Sequence, residues 1–237
     1  GCGVAKKISC LHMSRYAALR NFFRALHPGE LWTFKGIHMA MKKSSALDRR
    51  KVVAALLASR GDALVVTGLG SPTYDTYAAG DHDLNFYLWG AMGGAAMAGL
   101  GLALAQPKRR VLVITGDGEM LMGIGSLATI ACEAPKNLSI AVIDNGHYGE
   151  TGMQRAHTAR GVDLTGIAKA AGFKSAAMID SMTALQRWLP EFHDKTGPVF
   201  ADIKVSADPA PMRLPLRDGT AIKHRFRTAL LGADAQK

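Results

Sequence analysis

Two short segments hold the residue types best suited to chemistry, Gly116-Asp117-Gly118-Glu119 and Asp144-Asn145-Gly146-His147-Tyr148-Gly149. Each follows a strongly apolar run, Val111–Thr115 in the first case and Leu138–Ile143 in the second. Such runs read as strands buried on both faces. In an open parallel sheet, ligands gather outside the carboxyl ends of the strands. Asp117 and Asn145 stand 28 residues apart, so they become neighbours if their strands are neighbours. One carboxylate oxygen, one amide oxygen and a backbone carbonyl suit a hard cation, and Mg2+ keeps positions open for phosphate oxygens beside such ligands. Gly116 and Gly118 let the chain turn sharply into a following helix, whose first N–H groups and positive end attract an anion. The pair of segments therefore predicts a Mg2+–diphosphate site. A lone Gly-Asp-Gly is usually a turn; the second motif at a matching strand end is what makes the signal specific. The glycines form neither a dinucleotide fingerprint, because position 121 is Leu, nor a P-loop, because no Gly-Lys-Ser/Thr follows.

Alternating elements must position these tips. Val52, Val53, Leu56 and Leu57 predict a helix over 46–59 that Ser44 and Ser45 can cap. A strand over 63–67 and a loop over 68–80 come next. Residues 90–105 are small and apolar, with five glycines. Sixteen residues are too few to cross a bilayer, which needs about 20, so a helix lying close on a sheet is expected there. Strand 111–115 leads through Gly116 into a helix reaching about Glu133, and strand 138–143 follows. Asp163 caps a helix through Ala171, 173–179 is a strand, Ser181 caps a helix that Pro190 breaks, and 199–205 is the last strand. This order predicts an α/β fold, a doubly wound parallel sheet with helices on both faces. Residues 1–40 read as an N-terminal extension outside the fold, 41–205 as the domain and 206–237 as an extended, surface-lying tail, frayed at 233–237.

Composition narrows the function classes. With 48% hydrophobic and 20% charged residues, the chain can bury a sizeable core, which excludes widespread disorder. Cys2, Cys10 and Cys132 show no metal-ligand spacing, and three scattered cysteines fit a reducing, cytoplasmic setting. The net charge of +10 resides mostly in residues 1–50, which hold ten Lys/Arg against two acids. The other 187 residues carry 19 basic and 17 acidic side chains. A nucleic-acid-binding face on the folded body is therefore not expected, nor is a membrane span.

With both motifs in view, the sequence resembles the thiamine diphosphate (ThDP) enzymes, whose signature is Gly-Asp-Gly and, some 25–30 residues later, an Asn-rich turn. The resemblance implies that Asp117, Asn145 and the backbone carbonyl of His147 hold Mg2+, with Gly116, Gly118, Glu119, Gly146 and Tyr148 around the cofactor. The family often has Asn-Asn where this chain has Asp144-Asn145; Asp144 is expected to support the turn. Glu119 also departs from the family, which has a small residue there. Gly90-Ala91-Met92-Gly93 is similar to the segment whose bulky apolar residue holds the bent cofactor, so Met92 takes that role by resemblance. Asn85–Gly93, Gly123–Ile130, Tyr148–Gln154 and Val162–Gly172 are similar to the beta subunit of sulfopyruvate decarboxylase and the matching part of phosphonopyruvate decarboxylase.

ThDP enzymes of this kind combine a pyrophosphate-binding (PP) domain with a pyrimidine-binding (PYR) domain that supplies an activating glutamate. The motifs here are those of the PP domain, and the body has room for only one. The resemblance thus implies a hetero-oligomer with a separate PYR-domain subunit, acting on a small 2-oxo acid by non-oxidative decarboxylation. Glu133 and Glu150 are poor substitutes for the missing glutamate. His147 and Tyr148 are candidate catalytic contacts, and His82 a weaker one. Other readings stay open: a carbon-joining enzyme of the same cofactor class, resembling acetolactate synthase, a non-catalytic ThDP-binding subunit, and a basic interaction module in residues 1–50.

Overall fold

The structure is a computed structural model, and it describes residues 46–194 and 196–236. Its frame is a six-stranded sheet in the order β2-β1-β3-β4-β8-β7 with every pair parallel. The strands are β1 (Leu64–Thr67), β2 (Asn85–Tyr87), β3 (Val111–Gly116), β4 (Leu138–Asp144), β7 (Ser175–Ile179) and β8 (Val199–Lys204). The short strands β5 (His147–Tyr148) and β6 (Gln154–Arg155) form an antiparallel hairpin beside it.

Alternation along each strand supplies two faces. From β3, Val111 and Val113 enter one core, and Leu112 and Ile114 the other. The first core packs under α3 (Ala95–Ala105), α5 (Ser126–Glu133), α6 (Leu164–Ala171) and α8 (Gly219–Leu231); the second packs under α1 (Arg49–Ala58) and α7 (Met182–His193). The sheet is therefore covered on both sides, as the sequence predicts.

Four local expectations change. The loop over 68–80 contains α2 (Ser71–Ala78). Its buried residues are Pro72, Thr73, Tyr74, Asp75 and Thr76, so apolar periodicity never signals it. Tertiary partners satisfy its polar groups instead: Asp75 pairs with Arg49 at 3.1 Å and Arg50 at 3.2 Å, and Thr73 meets the Thr67 hydroxyl at 2.6 Å. The helix after Gly116 is two pieces, α4 (Asp117–Met122) and α5, parted at Gly123. Pro190 does not break α7, which runs on to His193 because Phe192 is fully buried and stacks edge-on against Trp188 at 5.9 Å. The region beyond Ser206 is irregular only to Asp218; α8 then packs Ile222 and Phe226 into the core, with Phe226 edge-on to Phe86 at 5.5 Å. Two smaller shifts accompany these. Asp48 caps α1 by accepting from the N–H groups of Arg50 and Lys51, and α3 begins at Ala95 rather than Gly90. Ser44, Ser45 and the extension at 1–40 lie outside the described residues.

Candidate active site

β3 and β4 are adjacent and in register, with Gly116 opposite Ile143. Asp117 and Asn145 therefore leave neighbouring strand tips at the carboxyl edge of the sheet. The chain reverses direction across the sheet here, with β2 on one side of β1 and β3 on the other. Strand tips at such a switch point diverge and leave a crevice. The crevice is a pocket lined by Leu69–Pro72 from the β1–α2 turn, Gly116–Glu119 and Met122 from β3 and α4, Met92, Ile143, Asn145 and His147–Thr151. α2 also points its amino end here; its N-cap is Gly70, with no side-chain cap, so backbone N–H groups stay free for an anion.

Three buried carboxylates gather at this end of the sheet, of which Asp117 lines the pocket. Asp117, Asp144 and Asp202 are 2%, 3% and 1% exposed. The Thr158 hydroxyl lies 2.9 Å from Asp117 Oδ2 and 2.9 Å from Asp144 Oδ1, and its single proton serves one at a time. Burial, then the Asp144 carboxylate, pushes the Asp117 carboxyl up to about 7. The same two causes raise Asp202 to about 6. A buried carboxylate so poorly compensated is suited to a cation. No cluster of three or more His, Cys, Asp or Glu side chains able to hold a metal exists among the described residues. Asp117, Asn145 and His147 all line the pocket, the first with a carboxylate, the second with an amide and the third with a backbone carbonyl among its groups.

The second motif folds on itself. Asn145 Oδ1 accepts the His147 N–H at 2.9 Å, and Asp144 Oδ1 accepts the Gly146 N–H at 2.8 Å. Asp144 thus supports the turn, as expected. Gly146 has φ +67 and lies behind the pocket wall, where its carbonyl accepts the Ala156 N–H at 2.7 Å. His147 Nδ1 sits 2.8 Å from the Asn145 carbonyl oxygen. The Tyr148 ring covers Gly118 so closely that a Cβ there would stand 2.5 Å from Tyr148 Cε1, and its hydroxyl meets His157 Nδ1 at 3.1 Å.

Glu119 lines the pocket, yet its carboxylate turns into a clasp between loops. Oε2 accepts the Leu69 N–H and the Thr115 hydroxyl, each at 2.9 Å. Burial raises its pKa, while bonds from Thr115 and the backbones of Ala95, Leu69 and Gly93 oppose the rise. The carboxylate that departs from the family's small residue is thus engaged by Leu69 and Thr115. Met92 stands on the pocket wall, 60% exposed, beside Met122 at 58%. Its loop is pinned by Gly93, whose carbonyl oxygen would lie 2.1 Å from a Cβ at Gly123.

Sequence reasoning missed the β1–α2 turn, Thr151, Thr158 and the Asp202–Lys204 pair, none of which carries a local motif. Glu150 also lines the pocket, accepting the Tyr74 hydroxyl at 3.1 Å. His82 precedes β2 and so lies at the opposite edge of the sheet, where its Nδ1 accepts the Leu84 N–H at 3.0 Å. Glu133 ends α5 and is exposed, outside the pocket lining.

A crevice of this kind, at the β1/β3 switch point with paired Asp and Asn tips, defines a diphosphate-binding α/β domain. The family model for the thiamine pyrophosphate enzyme C-terminal TPP binding domain matches residues 70–203, and the chain belongs to that family. It is 36% identical over 187 residues to the sulfopyruvate decarboxylase subunit beta of Methanothermobacter thermautotrophicus, covering 79% of this chain and 97% of that one. Over 144 residues it is 40% identical to the phosphonopyruvate decarboxylase of Streptomyces viridochromogenes, covering 61% of this chain and 36% of that enzyme. The match thus spans about a third of the longer curated relatives. The benzoylformate decarboxylase of Polynucleobacter necessarius shares the fold, with a TM-score of 0.63 at 18% identity over 75% of this chain and 36% of that structure. Among the described residues, no helix is long and apolar enough to cross a membrane.

Proposed function

We propose that the chain is the Mg2+- and thiamine diphosphate-binding PP subunit of a 2-oxo acid decarboxylase, active only with a separate PYR-domain subunit. The observation that carries this is the placement of Asp117 and Asn145 on adjoining strand tips, over one pocket, in a member of the TPP-binding family. In this reading Asp117, Asn145 and the His147 carbonyl hold Mg2+. The N–H groups at the start of α2 and around Gly118 orient the diphosphate, and Met92 supports the coenzyme from below. When bound, thiamine diphosphate supplies the electron sink for loss of CO2. Tyr148 closes the pocket over Gly118, and His147 borders the end open to substrate.

The relatives named for sulfopyruvate and phosphonopyruvate support a short 2-oxo acid with an anionic 3-substituent. The domain reading follows: residues 41–205 form the PP domain, and 206–237 lie outside its motifs although α8 packs on it. The test is co-expression with a PYR-type chain, co-purification and CO2 release from a panel of 2-oxo acids. Release of free aldehyde supports the decarboxylase. A hydroxyketone product would mean a carbon-joining enzyme, and cofactor binding without turnover in the complex would mean a non-catalytic subunit.

A further inference from the structure

Behind the pocket floor the ends of β4 and β8 carry a charged cluster that the proposed cofactor contacts do not use. Asp144 and Lys204 are register partners across β4 and β8, and Asp202 lies two residues before Lys204 on the same face of β8. The Lys204 ammonium bonds Asp144 Oδ2 and lies 2.7 Å from Asp202 Oδ2. Asp144 Oδ1 continues through the Thr158 hydroxyl to Asp117, 2.9 Å on each side. Three carboxylates, all at most 3% exposed, are thus joined to one half-buried ammonium, the only cation paired with them among the described residues. Asp202 Oδ1 is buried with no hydrogen-bond partner. The chain of contacts links two carboxylates and their lysine to Asp117, and none of the three lines the pocket.

We infer that Lys204 is a positioning residue for the diphosphate: its ammonium holds Asp144 in the turn and cancels one of the surplus negative charges behind the anion's position. The inference rests on the site proposed above. Charge arithmetic gives its sign for the metal-bound state, in which a divalent ion displaces any proton the carboxyls carry. Three carboxylates and one ammonium sum to −2, which one divalent ion neutralises, leaving the diphosphate to face no net charge from the floor. Without the ammonium the floor keeps one negative charge after the metal binds. A metal ion should tolerate or favour that change, and a diphosphate should not, because like charges beside buried groups repel strongly. A lysine that merely supported the fold would weaken both ligands together.

The experiment measures two affinities on the full-length chain, Mn2+ alone by electron paramagnetic resonance and thiamine diphosphate at saturating Mg2+ by calorimetry. Lys204→Met should bind Mn2+ at least as well as wild type and thiamine diphosphate about tenfold or more weakly, the scale of one uncancelled charge near the anion. Lys204→Arg should bind both as wild type does. Adding Asp144→Asn to Lys204→Met should recover most of the lost diphosphate affinity, because it removes the charge left unpaired. If Lys204→Met does not fold, Lys204→Gln takes its place with the same expectations. Wild-type diphosphate affinity in the neutral variant, equal losses for both ligands, or no recovery in the double variant would overturn the inference. Asp117→Ala separates this from failure of the site itself: if it binds both ligands as wild type does, the site reading falls and takes the inference with it.

Discussion

Asp117 is held where a carboxylate is least comfortable, buried at 2% exposure with Asp144 one hydroxyl away. Its folded-state carboxyl titrates near 7 rather than near 3.8, so between those pH values the native state binds more protons than the unfolded chain. Stability of the ligand-free protein from this group is therefore lost as pH rises through that window, and it is not regained above. Asp117→Asn removes the penalty. It should stabilise the ligand-free chain at pH 8 by up to about 4 kcal/mol, with the gain vanishing near pH 4, as read from denaturant midpoints. The same variant, like Asp117→Ala, should lose Mg2+-dependent thiamine diphosphate binding without unfolding; unchanged calorimetric affinity would contradict the metal assignment. Such a trade of stability for binding marks a functional residue rather than a packing one. Met92 poses a different question, because 60% exposure rules it out as a core gap-filler in the described chain. Met92→Ala should lower turnover in the complex more than it weakens cofactor binding, and equal losses would reduce it to packing.

At the scale of elements, α3 shows how a glycine-rich segment is used. A Cβ on Gly99 would stand 2.2 Å from Val113 Cγ2, so the helix lies on β3 at a distance only glycine allows. A Cβ on Gly101 would meet nothing within 4 Å. Gly99→Ala should therefore cost about 1–3 kcal/mol by lifting α3 from the sheet. Gly101→Ala should be neutral or stabilise by up to about 1 kcal/mol through helix propensity alone in the isolated chain. Parallel melts of the two variants decide the matter. Five of the six sheet strands were legible because their runs are mostly apolar, whereas β2, only Asn-Phe-Tyr, was too short and polar to signal itself. Asp163 and Ser181 were legible as caps because their side chains do accept first-turn N–H groups of α6 and α7. α2 was hidden because it is a polar helix whose burial depends on Arg49, Arg50 and Thr67, residues brought to it by other elements. Pro190 misled because local propensity was outweighed by the burial of Phe192.

Over the whole molecule, α8 belongs to the core it was expected to leave bare. Phe226 is 6% exposed, and Arg225 bonds Asp81 at 2.7 Å across the end of β2. Phe226→Ala should destabilise the chain by about 3 kcal/mol in denaturant unfolding while leaving the pocket residues untouched. Met92 and Met122 stand exposed on the pocket wall, and the proposed division of the site between two subunits predicts that turnover appears only after mixing with a PYR-type partner. The sequence by itself determined the class of fold and the two motifs, because alternating apolar runs, glycine turns and an Asp and Asn after strands are local signals. Only the tertiary structure decided that β3 and β4 are neighbours, that the β1–α2 turn forms the opposite wall, that Glu119 turns into a loop clasp, and that Asp202 and Lys204 stand behind Asp144. Those are pairings between residues up to 60 positions apart, as from Asp144 to Lys204, and strand order with burial, rather than any spacing along the chain, brings such groups together.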